Sequence, residues 1–114
     1  MTAPLPPVTS TGMDPLDRLQ TTIRDRRGAD PTSSYVAQLF HRGRARIAQK
    51  IGEEATECVI AAMGDDPAKI VPEAADLVFH LLVLLADAGL SLDDVRAELD
   101  RREGLSGIAE KAAR

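Results

Sequence analysis

Apolar residues recur at every third or fourth position along most of this chain, which is the period of an amphipathic α-helix. A half-buried β-strand requires polar and apolar residues to alternate, and no segment of useful length shows this alternation. The clearest example is the segment from Arg44 to Met63, where the apolar stripe steps by four through Ile47, Ile51, Ala55, Val59 and Met63. The pattern predicts an all-α protein.

Residues that start and stop helices divide the pattern into segments. Asp14-Pro15 is an N-cap followed by a proline at the first helical position, and Ser91 with Asp94 resembles a capping box. Gly43 marks either a kink or a break between two segments. The predicted helices run from Pro15 to Gly28, from about Tyr35 to Phe40, from Arg44 to Met63, from Pro67 to about Ala88, and from Leu92 to about Arg102.

The fourth predicted helix has two unusual features. Pro72 lies within its first turns, so we expect the regular helix to begin only after that residue. Its second half is apolar nearly all round, which is typical of a central, buried helix. We therefore expect this helix to lie inside a bundle of four to five helices.

The length of 114 residues fits one domain of ordinary size. Residues 1–12 are rich in proline and threonine and carry no charged side chain, so we predict a disordered leader. Residues 13–102 form the predicted helical domain. Residues 103–114 contain two glycines and a short helical pattern, and we predict a flexible or partner-docked tail.

Composition and charge narrow the possible partners. Aromatic residues are 3% of the chain, too few for a platform that stacks single-stranded nucleic acid, and a net charge of −4 argues against wrapping duplex DNA. One cysteine, Cys58, excludes an intrachain disulfide, and no apolar run approaches a bilayer span. We expect a cytoplasmic protein with neither nucleic acid nor a membrane as its partner.

Acidic residues occupy one face of each of two successive helices. In the third predicted helix Glu54 and Glu57 lie roughly 60° apart, and Glu73 and Asp76 have the same spacing in the fourth. Because a short loop makes the helices antiparallel neighbours, the two faces can converge. Converging carboxylates raise one another's pKa unless a cation lies between them, and Mg²⁺ prefers such oxygen ligands. The alternative is a pair of solvated helix faces.

Basic residues immediately precede the acidic ones: His41, Arg42, Arg44, Arg46 and Lys50 fall within ten residues that contain no acid. Cations beside a carboxylate-bound metal are the arrangement that a polyphosphate needs. The alternative is a set of exposed ion pairs between successive turns, each contributing about 0.3 kcal/mol.

The sequence also suggests roles for His80, Cys58 and Tyr35. We predict that His80, one turn beyond Asp76, holds a ligand or touches a substrate; a hydrogen-bonded core histidine is the alternative. Cys58 faces the apolar stripe and fits a core position. Tyr35, beside the cap residue Ser34, fits a packing ring.

These residues resemble the phosphoribosyl-ATP pyrophosphohydrolase family of histidine biosynthesis, within the all-α nucleotide pyrophosphohydrolase superfamily. The similarity covers roughly Leu16 to Arg114. It is carried by Ser34-Tyr35, by KIGEEATE from Lys50 to Glu57, by EAADLVFHLLVLL from Glu73 to Leu85, and by the tail SGIAEKAAR. The spacing of the acids is shared by the whole superfamily, whereas the segments around them single out this family.

The resemblance implies Mg²⁺-dependent hydrolysis of phosphoribosyl-ATP to phosphoribosyl-AMP and pyrophosphate, by a homodimeric helical bundle. It implies that Glu54, Glu57, Glu73 and Asp76 are the metal ligands. Glu53 then binds a further metal or acts as the base towards water. Arg46, Lys50 and Arg44 are the predicted substrate phosphate contacts.

Two other functions remain open from the sequence. A house-cleaning (deoxy)nucleoside triphosphate pyrophosphohydrolase of the same superfamily uses the same acids and differs where it binds the base and ribose. A non-catalytic helical dimer uses none of them. Pyrophosphate release from both substrate classes, with and without Mg²⁺, discriminates these functions.

Overall fold

The computed structural model describes residues 14–104 and contains five α-helices with one short 3₁₀ turn. No strand occurs in that range, so the all-α prediction is confirmed. The predicted leader and residues 105–114 of the predicted tail lie outside the described residues. The helices are α1 (Pro15–Asp25), α2 (Tyr35–Arg42), α3 (Arg44–Ala62), α4 (Ile70–Asp87) and α5 (Leu92–Arg102), and the 3₁₀ turn is Pro67–Lys69.

The helix boundaries follow from the residues that mark them in the sequence. The Asp14 carboxylate accepts a hydrogen bond from the backbone N–H of Leu16 at 2.8 Å, which caps α1. The Ser91 backbone N–H donates to the Asp94 carboxylate at 2.8 Å in the predicted capping box of α5. Gly43 has a φ of 93°, outside the helical range, so α2 and α3 are separated by a break.

The expectation for Pro72 is wrong. The helix α4 begins at Ile70, directly after the 3₁₀ turn, and Pro72 is its third residue. The first four N–H groups of an α-helix have no acceptor within the helix, so a proline there removes no hydrogen bond. The regular helix therefore starts two residues before the proline.

Helices α3 and α4 form an antiparallel hairpin, as their short connection predicts. At one end Arg44, the first residue of α3, forms a 2.7 Å ion pair with Asp87, the last residue of α4. Towards the other end, Glu57 of α3 meets Glu73 of α4. Helices α1 and α2 pack against this hairpin.

The apolar core lies where α1 and α2 cover the hairpin. One side of the second half of α4 is buried in it, whereas Leu81 in the same half is 40% exposed. The prediction of a buried α4 is thus met on one side of the helix only. The core consists of Ile23, Val36, Leu39, Ile47, Leu82, Val83 and Ala86.

The opposite end of the hairpin leaves large apolar side chains uncovered. On α3 and just after it, Val59, Ile60 and Met63 are 62%, 67% and 81% exposed. Val71 at the start of α4 is 69% exposed. Several exposed large apolar side chains at one end of a hairpin are typical of an interaction face. We call Val59, Ile60, Met63 and Val71 the apolar end of the hairpin.

Helix α5 is attached to α1 by polar contacts. The Arg96 guanidinium donates to both oxygens of Asp17, at 2.8 and 3.2 Å. The backbone N–H of Leu92 donates to the Gln20 side chain at 2.6 Å.

Within residues 14–104 no single helix is long and apolar enough to cross a membrane. One pair of segments, Pro67–Asp87 and Leu92–Arg102, meets the criteria of length and composition when the two are taken together, but the pair is bent by 106°.

Truncation of the core is the first test of this fold. Leu82 is 3% exposed, so Leu82→Ala leaves a cavity and is expected to lower the free energy of unfolding by about 2–5 kcal/mol. Leu99→Ala is the matched control, because Leu99 is 60% exposed and its truncation is expected to cost about 0.5 kcal/mol or less. Urea unfolding followed by circular dichroism measures both. Equal effects contradict the described core.

Acid titration tests the attachment of α5. The hydrogen bond from Arg96 lowers the pKa of Asp17, so the pair stabilises the fold above about pH 4 and loses this contribution as pH falls through the lowered pKa. We expect Asp17→Asn to reduce the urea midpoint at pH 7, and this difference from wild type to shrink as the pH falls through the lowered pKa of Asp17. Asp93→Asn is the control, because Asp93 pairs with Arg96 within α5 alone. A difference that is constant with pH contradicts the assignment.

Candidate active site

Three of the predicted metal ligands converge between α3 and α4. Glu54, Glu57 and Glu73 each offer one carboxylate oxygen, and these oxygens lie within 4.8 Å of one another. Glu54 and Glu57 come from successive turns of α3, and Glu73 comes from the first turn of α4. The antiparallel hairpin is what brings them together. We call Glu54, Glu57 and Glu73 the carboxylate triad.

Part of the triad is buried without hydrogen-bond partners. Glu54 is 6% exposed. The Oε2 atoms of Glu54 and Glu73 are both buried, and neither has a hydrogen-bond partner among the described residues. A buried charged oxygen without a partner is costly, and a hard divalent cation is the ligand that such converging oxygens satisfy. The residues present therefore fit a hard divalent cation.

The electrostatics of Glu57 agree with this crowding. The pKa of Glu57 is raised, chiefly because its protonated carboxyl can donate a hydrogen bond to Glu73, and further by repulsion from Glu73 and by partial desolvation. The charge of Asp76 adds to the rise, whereas the charge of Lys50 opposes it. A carboxyl whose pKa is raised by a neighbouring carboxylate is a common feature of functional sites.

Lys50 joins the predicted phosphate contacts to the acids. Its ammonium lies 3.2 Å from Glu53 and 3.2 Å from the buried Glu54. These two hydrogen bonds raise the pKa of Lys50, and the bond from Lys50 lowers the pKa of Glu53. The guanidinium of Arg46 lies 3.9 Å from Glu53. Positive charge therefore borders the carboxylate triad on the N-terminal side of α3.

Two other predicted site residues lie apart from the triad. Asp76 is exposed and is not one of the three converging carboxylates, although its charge acts on Glu57. Arg44 is paired with Asp87 at the opposite end of the hairpin, 2.7 Å away. The roles predicted for them, metal ligand and phosphate contact, stay predictions.

His80 is enclosed and connects α2 with α4. It is 4% exposed; its Nδ1 lies 2.7 Å from the backbone oxygen of Asp76, and its Nε2 lies 2.8 Å from the Tyr35 hydroxyl. The rings of Tyr35, Phe79 and His80 pack together, with centroids 5.1 to 6.1 Å apart. Tyr35 is 47% exposed, so the ring treated as packing in the sequence reaches the surface.

An open cleft of about 620 Å³ lies beside the triad. Glu57 and Glu73 line it together with Lys69, a cation that the sequence analysis did not single out. Lys69 lies in the 3₁₀ turn, nineteen residues after the basic run that ends at Lys50. It lines the same cleft as Glu57 because the hairpin folds back at this turn. Asp65 and Asp66 also line the cleft, so its lining carries four carboxylates and one cation, and a bound divalent cation would offset this charge for an anionic ligand.

Comparison with known proteins gives one consistent family. A family model described as phosphoribosyl-ATP pyrophosphohydrolase matches residues 16–103. A phosphoribosyl-ATP pyrophosphatase from Rhizorhabdus wittichii is 65% identical over 99 residues, which are 87% of this chain and 93% of that protein. Proteins of the same name from Erythrobacter litoralis and Rhodospirillum rubrum are 61% identical over 102 residues (90% of this chain, 98% of the relative) and 52% identical over 112 residues (96% of each). The chain belongs to the phosphoribosyl-ATP pyrophosphohydrolase family.

Proposed function

We propose that this protein hydrolyses the α–β phosphoanhydride of phosphoribosyl-ATP, yielding phosphoribosyl-AMP and pyrophosphate, as the second step of histidine biosynthesis in the cytoplasm. The observation that carries the proposal is the carboxylate triad, with two buried oxygens that have no hydrogen-bond partner among the described residues. Family membership supplies the substrate, because the matching relatives are named for it.

Mg²⁺ is the proposed cofactor, held by Glu54, Glu57 and Glu73, with Asp76 as the proposed fourth ligand. When bound, Mg²⁺ supplies a Lewis acid that activates water and neutralises charge on the leaving pyrophosphate. Lys50, whose ammonium lies 3.2 Å from Glu54, offsets part of the negative charge of these carboxylates.

The proposed phosphate contacts are cations on both sides of the triad. Lys50 and Arg46 lie towards the N-terminus of α3, and Lys69 lies in the cleft on the other side. These cations would each offset part of the charge of a polyphosphate, and the bound metal would offset the carboxylates that also line the cleft. Arg44 reaches this ligand only if it leaves Asp87.

Glu53 is the proposed base that orients the attacking water. Its side chain is 44% exposed, and its carboxylate accepts hydrogen bonds from Gln49 and Lys50 at 3.2 Å. Since Lys50 lowers its pKa, Glu53 is ionised at neutral pH and can accept a hydrogen bond from water. Lys50 lies 3.2 Å from both Glu53 and Glu54, which supports a role for Glu53 next to the triad.

We propose a homodimer that buries the apolar end of the hairpin. The exposed side chains Val59, on α3, and Met63, directly after its end, are four positions apart, which is about 40° in helical projection. The apolar end also includes Ile60, which lies about 60° from Glu57 on α3 and lines the cleft with it. A second copy that covers the apolar end therefore covers one side of the cleft beside the triad.

The function is tested by pyrophosphate release. Purified protein with Mg²⁺ is expected to release pyrophosphate from phosphoribosyl-ATP, and chelation of the metal is expected to abolish release. Glu73→Gln is expected to lower kcat/KM by at least about 100-fold, because it removes a direct ligand rather than an outer partner. The same variant is expected to unfold no more easily than wild type without metal, since it removes repulsion from Glu57.

Glu98→Gln is the matched control, because Glu98 lies on α5 and pairs with Arg101 and Arg102 rather than with the triad. It should retain full activity. Equal turnover of dATP and dCTP favours a house-cleaning nucleotide pyrophosphohydrolase instead. An unchanged affinity for Mg²⁺ in Glu73→Gln, together with no turnover in wild type, favours a non-catalytic helical dimer.

The dimer is tested by sedimentation equilibrium. Wild type is expected at twice the chain mass of 12.2 kDa, and Met63→Lys is expected at the mass of one chain, because it places a charge in the buried face. Met63 is 81% exposed within one chain, so the substitution leaves the fold of that chain intact. Leu99→Lys, at an exposed site on α5, is the control and should stay dimeric. A dimeric Met63→Lys protein places the interface elsewhere.

A further inference from the structure

Tyr35 has a feature that the proposed function does not use. Its side chain is 47% exposed, yet its hydroxyl is bound at 2.8 Å to the buried His80 of α4. An exposed tyrosine hydroxyl is normally free to rotate and to hydrogen-bond with water. Here the protein determines where the hydroxyl proton points.

The direction of that hydrogen bond follows from the other nitrogen of His80. Nδ1 lies 2.7 Å from the backbone oxygen of Asp76, and a carbonyl oxygen can only accept, so Nδ1 carries the proton. A neutral imidazole then has an unprotonated Nε2, which accepts. The Tyr35 hydroxyl therefore donates to His80, and its oxygen presents only lone pairs to the outside.

The ring of Tyr35 is held as firmly as its hydroxyl. It stacks on Phe79 with centroids 6.1 Å apart and planes 22° apart, and it meets His80 edge-on at 5.8 Å. Both partners lie on α4, whereas Tyr35 is the first residue of α2. The position of the phenol oxygen is therefore set before any ligand arrives, which lowers the entropy lost on binding.

His80 connects this oxygen to the acidic part of α4. The Tyr35 hydroxyl lies 2.8 Å from Nε2 of His80, and Nδ1 of the same ring lies 2.7 Å from the backbone oxygen of Asp76, the proposed fourth metal ligand. Glu73 of the triad lies one turn before Asp76 on the same helix. A ligand whose phosphates reach the proposed metal site therefore brings the adjoining part of the molecule towards Tyr35.

We propose that the Tyr35 hydroxyl oxygen accepts a hydrogen bond from a ribose hydroxyl of the nucleotide, and that His80 is the positioning residue that aims it. The proposal rests on the proposed function. A phosphate oxygen has no proton to donate and is repelled by the lone pairs, whereas a ribose hydroxyl can donate. The ribose is also the group attached directly to the α-phosphate, so a phosphate held at the proposed metal site brings the ribose towards Tyr35.

The experiment compares Tyr35→Phe with wild type on ribose and deoxyribose ligands. Phosphoribosyl-ATP is compared with its analogues that lack the 2′- or the 3′-hydroxyl on the triphosphate-bearing ribose. We expect wild type to prefer the ribose substrate by roughly 3- to 10-fold in kcat/KM over one analogue, mainly through KM. Tyr35→Phe is expected to lose this preference, because its kcat/KM on phosphoribosyl-ATP falls to about the value that it has on that analogue.

His80→Gln tests the positioning role. In the wild-type background, His80→Gln is expected to weaken the preference for the ribose substrate. In the Tyr35→Phe background, it is expected to change the preference no further, because the two residues act through one hydrogen bond. A merely structural role lowers kcat/KM on all substrates by the same factor. That result, or an unchanged preference in Tyr35→Phe, overturns the proposal.

A binding measurement separates this proposal from the proposed function. Calorimetry of AMP against 2′-deoxy-AMP and 3′-deoxy-AMP, with wild type and Tyr35→Phe, requires no turnover. If wild type fails to release pyrophosphate but discriminates AMP from a deoxy form through Tyr35, the proposed function fails and the ribose contact stands. If wild type is active but binds all three alike, the ribose contact fails alone.

Discussion

Repulsion between carboxylates is the constraint around which this structure is arranged. Glu54, Glu57 and Glu73 lie within 4.8 Å of one another, and burial keeps water from screening two of their oxygens. Such a cluster persists only if the elements that carry it are held together elsewhere and if positive charge lies nearby. The α3–α4 hairpin provides the first condition, and Lys50 provides the second at 3.2 Å from Glu54.

Stability and chemistry occupy different ends of that hairpin. The core surrounds Ile47 and Val83, both fully buried, near the end that the Arg44–Asp87 ion pair closes. The carboxylate triad and the apolar end lie towards the other end of the hairpin. This separation matters for a site that binds and releases an anionic ligand. The packing of the core offsets the repulsion between the carboxylates without taking part in the site.

Several elements were predictable because they depend on residues close together in the chain. The cap at Asp14, the break at Gly43 and the capping box at Ser91 are local hydrogen-bond or dihedral effects. Pro72 misled the prediction, because a proline stops a helix only where its missing N–H has an acceptor to lose. Whether the proline stands third or sixth in α4 depends on the 3₁₀ turn before it, which the apolar period does not reveal.

The sequence by itself determined the helical class, the pairing of two acidic faces on successive helices, and the family, because helical period and residue spacing are properties of the chain. The tertiary structure decided which acids converge and which do not. It put Glu73 beside Glu57, left Asp76 exposed, and paired Arg44 with Asp87 rather than with the acids. It also joined Tyr35 to His80 across 45 residues. No local pattern specifies such contacts, because they depend on how α2 crosses α4, which only the packing of the core sets.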